Sequence, residues 1–327
     1  MSLVSNTAYA LSVQDKEHFL THGFVHLKNC FSRKASDAFS KDVWTRLGMS
    51  PTDKSTWHTE RTNMPAHGTV LVSEFAPKAW SAICELVGGE EKVTDETKSW
   101  GDNFIVNLGK EGEGQIPFRG VDGWHVDGDF FLHFLDSPEQ ALLVIPLFSD
   151  IGPGGGGTAI CTDGIGVVAK YLHENPNGVT PSMQPRGTPE PAKGSPERLA
   201  FYRSIVQSQD LASDASFHEM TGELGDVFLL HPLMLHSATR NATRVPRIIT
   251  NPKVSVKEPF NFSVGAGGDG GKGFSLVEQK TLKVLGRPGG LDGWKIDGER
   301  EMITPMRIKI MADMKERERE RLARKAN

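Results

Sequence analysis

The chain has 327 residues, of which 38% are hydrophobic and 24% are charged, and its formal net charge is −4 at pH 7. This composition is typical of a globular protein and excludes a wholly disordered chain. The weak negative charge gives no reason to expect a nucleic-acid partner. The sequence contains no run of about 18 apolar residues, so we expect no membrane-spanning helix.

The three cysteines, Cys30, Cys84 and Cys161, are too few and too scattered for a disulfide framework or a thiolate metal site. Free thiols indicate a reducing compartment. The first residues lack the basic stretch and apolar core of a secretory signal, and the sequence ends in Lys325-Ala326-Asn327 rather than the peroxisomal Ser-Lys-Leu. We therefore expect a cytoplasmic protein.

The N-terminal part of the chain favours helices. Ser32 is a good N-cap residue, and Gly23 and Gly48 each stop a helical pattern. The predicted elements are a helix over 13–22, a strand over 24–28, a helix over 33–47, a polar loop over 51–68 and a helix over 77–87.

The middle of the chain favours strands, and its end favours helices again. Apolar runs rich in β-branched residues predict strands over 104–108, 141–148, 158–161, 226–230 and 247–250, with a further strand pattern from Trp124. Helices are predicted over 164–173, 197–209, 274–285 and 303–325. Loops are predicted over 109–120, 176–196 and 265–273, and the first two are candidate lids over a site.

Short central strands between helical ends predict a fold that is mainly β with flanking helices. We expect one domain over residues 1–327. A helical N-terminal support would cover 13–90, a barrel core would cover 100–255 with the loop insert at 176–196, and C-terminal helices would cover 274–325.

The segment Trp124-His125-Val126-Asp127 is the leading candidate for a metal site. Side chains at positions i and i+2 of a strand project from the same face, so His125 and Asp127 would lie side by side. An imidazole and a carboxylate are two of the three ligands in the 2-His-1-carboxylate triad of non-haem iron(II) oxygenases. Asp129 and His133 are interpreted as strand residues with satisfied hydrogen bonds.

The third ligand of such a triad must come from elsewhere, and the candidates are His231 and His236. Because these histidines are five positions apart, one strand would present them on opposite faces, and both could not reach one metal. His231 lies beside Pro232 in an apolar run, which favours a core position, whereas His236 opens onto a polar segment. We therefore predict that His236 is the third ligand.

An acidic co-substrate beside this metal would need a cation. Arg247 begins an apolar strand soon after His236, and arginine can clamp a carboxylate with two parallel hydrogen bonds. Thr158 could add a hydroxyl to the same carboxylate. Arg240 and Arg244 fall in the intervening turn and are predicted to face solvent.

A glycine run at Gly152, Gly154 and Gly157 also matches G-x-G-x-x-G, the fingerprint of a dinucleotide site. However, Pro153 lies inside the motif, a strand rather than a helix is predicted next, and no second βαβ unit follows. A nicotinamide-dependent oxidoreductase is therefore the weaker alternative.

Together, these residues resemble the phytanoyl-CoA dioxygenase family of Fe(II)/2-oxoglutarate oxygenases over about residues 13–285. The resemblance implies a double-stranded β-helix (a jelly-roll, cupin-like barrel) in which His125, Asp127 and His236 bind Fe(II) and Arg247 holds the far carboxylate of 2-oxoglutarate. It also implies that O₂ is consumed. The matching positions are His22-Gly23-Phe24-Val25-His26-Leu27-Lys28, His125-x-Asp127, Gly156-Gly157-Thr158, Gly225-Asp226, the segment from His231 to His236, and Arg247.

The chain departs from this family's pattern at minor positions. Family members often carry a glutamine in or just before the His-x-Asp segment, where this chain has Val126. The Gly-Ser-His that tends to follow Gly-Gly-Thr is replaced here by Thr162-Asp163-Gly164. The presence of Asp127 argues against the halogenase variation, in which a small residue leaves room for chloride.

The predicted function is oxidation of a C–H bond in a small organic molecule, by hydroxylation, desaturation or a related reaction, with natural-product biosynthesis as the favoured setting. An acyl-CoA hydroxylase of the same family is one alternative. An alternative of another class is a catalytically silent barrel that binds a ligand. The sequence leaves the substrate and the oligomeric state open.

Overall fold

The computed structural model describes residues 9–192, 194–263, 265, 273–305 and 307–326. Most of the predicted loop over 265–273 therefore lies outside the described residues. The α-helices are α1 (Val13–His22), α2 (Arg33–Ser40), α3 (Val43–Leu47), α4 (Val72–Phe75), α5 (Pro77–Val87), α6 (Gly164–Glu174), α7 (Ala200–Gln207), α8 (Leu276–Val284) and α9 (Arg307–Ala326). Short 3₁₀ turns lie at Lys54–Thr56, Glu90–Lys92, Asp95–Lys98, Phe118–Gly120, Pro196–Leu199 and Asp214–Ser216.

The strands of the described residues form four antiparallel sheets. Their hydrogen-bonded orders are β1-β9-β6-β12, β10-β7-β8, β11-β5-β2 and β3-β4. The strands are β1 (Phe24–Leu27), β2 (Arg61–Asn63), β3 (Thr69–Leu71), β4 (Ser99–Gly101), β5 (Ile105–Asn107), β6 (Leu142–Pro146), β7 (Thr158–Cys161), β8 (Phe217–Met220), β9 (Val227–Leu230), β10 (Leu235–Ala238), β11 (Arg247–Ile249) and β12 (Lys253–Val254).

The architecture is mixed helix and sheet rather than mainly β, because the described helices hold more residues than the described strands. Within the described ranges, the sheets do not close into one hydrogen-bonded barrel. Each strand is only two to five residues long, so the ladders end before a ring can form. An isolated bridge between Leu147 and Ile249 nevertheless continues the sheet of β6 into the sheet of β11.

Local chemistry explains why α1 has the predicted bounds. The Ser12 hydroxyl accepts a hydrogen bond from the Asp15 amide at 3.0 Å, and the Asp15 carboxylate accepts one from the Ser12 amide at 3.2 Å. This reciprocal pair satisfies two amides that the helix itself cannot satisfy. Gly23 ends the helix in the left-handed conformation.

The predicted helix over 33–47 is wrong in one respect, since it is divided into α2 and α3. The Ser40 hydroxyl donates to the Ser36 carbonyl at 2.8 Å. Serine that bonds back to the preceding turn competes with the regular backbone ladder, and α2 ends at this residue.

The sheet core follows the apolar runs of the sequence. Every residue of β6, β7 and β9 is buried, as continuous apolar runs indicate. The strand β2 was not predicted, because its residues are polar and two of its three are exposed. None of the helices in the described part of the chain is long and apolar enough to cross a lipid bilayer.

The C-terminal segment and the insert both pair with residues 130–133. The Leu132 amide donates to the Glu301 carbonyl at 2.9 Å, and the Ile303 amide donates to the Phe130 carbonyl at 2.7 Å. On the insert, Val179 exchanges two backbone hydrogen bonds with His133 and is fully buried. The insert is therefore joined to the packed structure at Val179, and the interpretation of 176–196 as a lid stays a prediction.

Candidate metal centre

The segment that carries His125 and Asp127 is not a regular strand, which corrects the prediction for residues after Trp124. His125 forms an isolated antiparallel bridge with His236 of β10, and a turn begins at Asp129 where strand was expected. The two imidazoles are nevertheless brought together, because the His125 and His236 backbones exchange hydrogen bonds of 3.1 and 3.0 Å.

The three predicted ligands converge on one point. Oδ1 of Asp127 lies 3.5 Å from Nε2 of His125 and 3.5 Å from Nε2 of His236. All three ligand atoms lie within 4.8 Å of one another, and no other group of three or more such side chains does so among the described residues. Metal–ligand bonds of about 2.1 Å at right angles would separate ligand atoms by about 3 Å, so the observed spacing fits a metal ion.

Both imidazoles are held in the tautomer that a metal needs. Nδ1 of His125 lies 2.6 Å from the Gly123 carbonyl, and Nδ1 of His236 lies 3.0 Å from the Met234 carbonyl. A carbonyl can only accept, so each Nδ1 carries the proton. Each Nε2 is therefore the nitrogen left to bind a metal, as in metal-binding histidines whose other nitrogen is hydrogen-bonded.

The charged groups of the cluster change one another's pKa. Burial would raise the pKa of Asp127, but the neighbouring His236 and His125 hold it well below its usual range. Burial would lower the pKa of His125, but the hydrogen bond and charge of Asp127 raise it. The carboxylate is thus ionised at neutral pH, as a ligand to a cation must be.

The cluster is open on one side. The His125 side chain is 41% exposed and the Asp127 side chain 21% exposed, whereas the His236 side chain is only 8% exposed. A small molecule can therefore approach from the side of His125.

His231 lies in the core and away from this cluster. It is fully buried, its Nε2 lies 2.9 Å from the Thr281 hydroxyl of α8, and its Nδ1 accepts from the Leu233 amide at 3.2 Å. Burial, and then the charge of Lys280, lower its pKa to about 3. Both ring nitrogens are used, so this histidine has no free ligand atom.

Arg247 is a buried cation with an unused donor. Its side chain is 1% exposed, its Nε donates to the Gly156 carbonyl at 2.6 Å, and its Nη1 donates to the Ile105 carbonyl at 3.4 Å. Its Nη2 has no hydrogen-bond partner among the described residues. Burial, and then the charge of Arg61, lower the pKa of Arg247 to about 9, so the guanidinium stays charged at neutral pH.

Arg247 and His236 both contact the segment 156–160, which ends within β7. His236 pairs with Ile160 of β7, and Arg247 bonds to Gly156, four residues earlier in the chain. The cation and the candidate metal site are thus both joined to residues 156–160, the segment that leads into β7.

Thr158 opens β7 and is buried, with Ala238 and Met220 as its cross-strand neighbours. Within the described residues, no hydrogen bond joins its hydroxyl to Arg247. The glycine run before it leads into a strand of an antiparallel sheet, not into a helix. That connection is not the strand–turn–helix of a dinucleotide site, so the glycine run does not support the nicotinamide alternative.

The prediction that Arg244 faces solvent is also wrong. Its side chain is 20% exposed and pairs with Glu111 at 3.4 Å, and its guanidinium lies 5.4 Å from the centre of the Trp57 ring. Stacking against an aromatic ring partly shields an arginine from water.

Asp129 and His133 both have partners, as interpreted from the sequence. Asp129 accepts two hydrogen bonds from Arg307, of 2.7 and 2.6 Å. His133 is buried, with its Nε2 2.9 Å from the Gly128 carbonyl, and burial lowers its pKa to about 4.

No family model matches the chain, and no curated protein is similar to it in sequence. Several solved structures are similar to it. The non-haem α-ketoglutarate-dependent carbocyclase SnoK from nogalamycin biosynthesis is 15% identical, with a TM-score of 0.45, over 90% of this chain and 97% of that chain. HygX from Streptomyces hygroscopicus, with nickel, 2-oxoglutarate and hygromycin B bound, is 12% identical, with a TM-score of 0.42, over 81% and 96%.

EctD from S. alaskensis, with 2-oxoglutarate and 5-hydroxyectoine, is 14% identical, with a TM-score of 0.41, over 76% of this chain and 77% of that chain. Because each of these TM-scores lies below 0.5, the function proposed below rests on the residues of the site itself.

Proposed function

We propose that the chain is a non-haem Fe(II)/2-oxoglutarate-dependent oxygenase that oxidises a small organic molecule. The observation that carries this proposal is the convergence of ligand atoms from His125, Asp127 and His236 within 4.8 Å of one another. Bound ferrous iron and 2-oxoglutarate would supply the oxidising chemistry, in which O₂ is consumed, a substrate C–H bond is oxidised, and succinate and CO₂ are released.

The chain's own residues would bind and orient these groups. Three protein ligands leave coordination positions free for the co-substrate and O₂, and the exposed side of His125 gives access to them. The buried guanidinium of Arg247 has an Nη2 donor that no described residue uses. A carboxylate arriving there would neutralise a buried charge and satisfy that donor, and the Thr158 hydroxyl would be a second contact.

We extend the proposal to three finer points. The fold would be a double-stranded β-helix, which the antiparallel sheets and the bridge between Leu147 and Ile249 support. The chain would be one domain of the phytanoyl-CoA dioxygenase family, which the order of the motifs supports. Its substrate would be a small molecule of natural-product biosynthesis.

The test uses metal and co-substrate alone, since the substrate is unidentified. Purified protein is titrated with Fe(II) and then with 2-oxoglutarate in the absence of oxygen, and succinate is measured after oxygen is admitted. We expect metal-dependent binding of 2-oxoglutarate and slow formation of succinate. Both should be lost in His125→Ala, because the triad loses a ligand, and kept in His58→Ala, which removes an exposed histidine outside the site.

Binding of 2-oxoglutarate without metal, or unchanged Fe(II) binding by His125→Ala, would contradict the proposal. So would a wild-type protein that takes up no Fe(II).

A further inference from the structure

The backbone that carries Asp127 lacks the usual support of a strand. His125 is anchored by its bridge to His236. Among the described residues, however, the amides of Val126, Asp127 and Gly128 donate to no other backbone group. A ligand on such a segment needs other contacts to hold its carboxylate at the metal position.

The first such contact comes from His133. Its buried imidazole lies with Nε2 2.9 Å from the carbonyl of Gly128, and because that carbonyl can only accept, Nε2 is the donor. His133 is itself fixed, since its amide and carbonyl exchange hydrogen bonds of 2.8 and 3.0 Å with Val179 of the insert. The residue directly after Asp127 is therefore tied to a buried, hydrogen-bonded part of the fold.

The contact between His133 and Gly128 requires a glycine at position 128. Its φ is +127°, which side chains of L-residues rarely adopt. A Cβ atom at this position would lie 2.5 Å from Cε1 of His133 and 2.7 Å from the Phe131 ring. Only glycine allows the imidazole to approach the turn so closely.

The second contact comes from the far end of the chain. Arg307, the first residue of α9, makes two hydrogen bonds to the Asp129 carboxylate, of 2.7 and 2.6 Å. Four residues before Arg307, the Ile303 amide donates to the Phe130 carbonyl at 2.7 Å. Both sides of this ion pair are about half exposed, so its effect on overall stability is small. Its effect is local, on the turn that follows Asp127.

We propose that His133 and Arg307 are positioning residues for the metal centre, which hold the Gly128–Asp129 turn so that the Asp127 carboxylate faces the two histidines. This inference rests on the proposed metal binding at His125, Asp127 and His236. It assigns to the C-terminal segment a part in the site.

The experiment measures metal affinity rather than turnover. Protein stripped with a chelator is titrated with Co(II) without oxygen, which gives a dissociation constant and the visible absorption of the bound ion, a signature of coordination geometry. His133→Leu removes the donor to Gly128, and we expect Co(II) to bind about 10- to 100-fold more weakly, with an altered spectrum. His133→Gln, whose amide can donate from a similar position, should restore most of the affinity.

Arg307 is tested with a charge-matched pair of variants. Arg307→Lys keeps the positive charge near the metal but loses the two-pronged contact with Asp129, and we expect binding about three- to tenfold weaker. Arg300→Lys is the control, because Arg300 lies on the same C-terminal segment but pairs with Asp136 at 2.8 Å. It should bind Co(II) within about twofold of the wild type.

The inference is overturned if His133→Leu and Arg307→Lys bind Co(II) with wild-type affinity and spectrum, or if Arg300→Lys weakens binding as much as Arg307→Lys. Thermal unfolding of each metal-free variant separates loss of folding from loss of positioning, and the exposed Arg307 pair gives a variant that should fold normally. If instead the wild type binds no Co(II), or binds it equally well after Asp127→Ala, the proposed function itself fails.

Discussion

Arg247 brings a positive charge into the interior without an acidic hydrogen-bond partner among the described residues. Two of its nitrogens bond to backbone carbonyls, and Nη2 is left without a partner there. The charge of Glu219 acts on Arg247 without a direct hydrogen bond, and a buried donor left without an acceptor is unfavourable unless a ligand completes its environment. The residue therefore favours a site that takes an anion from solution.

Replacing Arg247 by lysine should weaken the binding of the co-substrate without changing the binding of the metal. Lysine keeps a positive charge but cannot bond a carboxylate through two parallel donors, so we expect 2-oxoglutarate to bind at least about tenfold more weakly. Fe(II) affinity should not change. Anaerobic titration of the Fe(II)-loaded protein with 2-oxoglutarate gives both values.

Arg244→Lys is the matched control, because Arg244 lies in the preceding turn and pairs with Glu111. An equal loss of 2-oxoglutarate binding in Arg244→Lys, or none in Arg247→Lys, would show that the carboxylate is held elsewhere.

For single residues, the sequence predicts the environment of a side chain where the adjacent residues in the chain indicate it. His236 at the edge of a polar segment and Arg247 at the start of an apolar strand are examples. The contact between Asp129 and Arg307 joins residues 178 positions apart, and no local pattern indicates it. The stacking of Arg244 on Trp57 was missed for the same reason.

At the scale of elements, the connection between β9 and β10 explains why two nearby histidines differ. His231 ends the buried run of β9 and bonds to Thr281 of α8, while His236 lies within β10 and bridges to His125. The Met234 amide donates to the His231 carbonyl at 2.9 Å, so the chain turns between them. That turn places one imidazole in the core and the other in the site.

Burial of His231 should make the protein sensitive to acid. Its pKa in the folded protein is about 3, below the value of about 6.5 in an unfolded chain. Below pH 6.5 the unfolded chain takes up a proton that the folded protein refuses, so the free energy of unfolding falls as the pH falls. The loss from this one group is about 2 kcal/mol between pH 7 and pH 5.

Denaturant unfolding of the wild type and of His231→Gln at the two pH values checks this expectation. The variant should lose about 2 kcal/mol less than the wild type on acidification, whereas His58→Gln, at an exposed position, should behave as the wild type. Equal pH dependence in all three proteins would contradict it.

Element boundaries were predictable where local chemistry decides them. The capping pair of Ser12 and Asp15 defines α1, and a proline followed by apolar residues at helical spacing defines α5. The segment after Trp124 alternates as a strand does, yet it forms only single bridges, because its partners are the edge of β10, the insert and the C-terminal segment. Those partners come from three distant parts of the chain.

At the scale of the whole molecule, α9 packs against the N-terminal part of the chain, where it contacts Arg46 and His67. Glu318 of α9 is almost fully buried, and one of its oxygens lies 2.8 Å from Nε of Arg46 and 2.9 Å from Nε2 of His67. Arg46 also bonds to Asp102 at 3.0 Å. The sequence indicated only a solvated helix of alternating charges here, because a single buried carboxylate does not change that pattern.

Glu318→Gln should destabilise the protein by about 2–3 kcal/mol, because the amide cannot replace the charge that faces buried Arg46. Glu316→Gln is the control on the same helix, since its pair with Arg319 is exposed and is worth less than about 1 kcal/mol. Chemical denaturation measures both, and an equal effect in the two variants would show that α9 is not held through Glu318.

Several strands could be predicted from apolar runs, but their pairing into antiparallel sheets could not. Strands of two to five residues carry little pattern, and β2 and β12 are too short and polar to be recognised. Which strand pairs with which depends on contacts across more than a hundred residues, such as that of β1 with β9.

The two backbone hydrogen bonds between His125 and His236 form when the chain folds, and neither needs an ion. If the proposed function is correct, removing the metal with a chelator should therefore leave the site folded, and ferrous salt added under nitrogen should bind again without unfolding. Loss of the proposed iron in air should then be reversible, and cobalt or nickel should occupy the same three ligands for spectroscopic measurements.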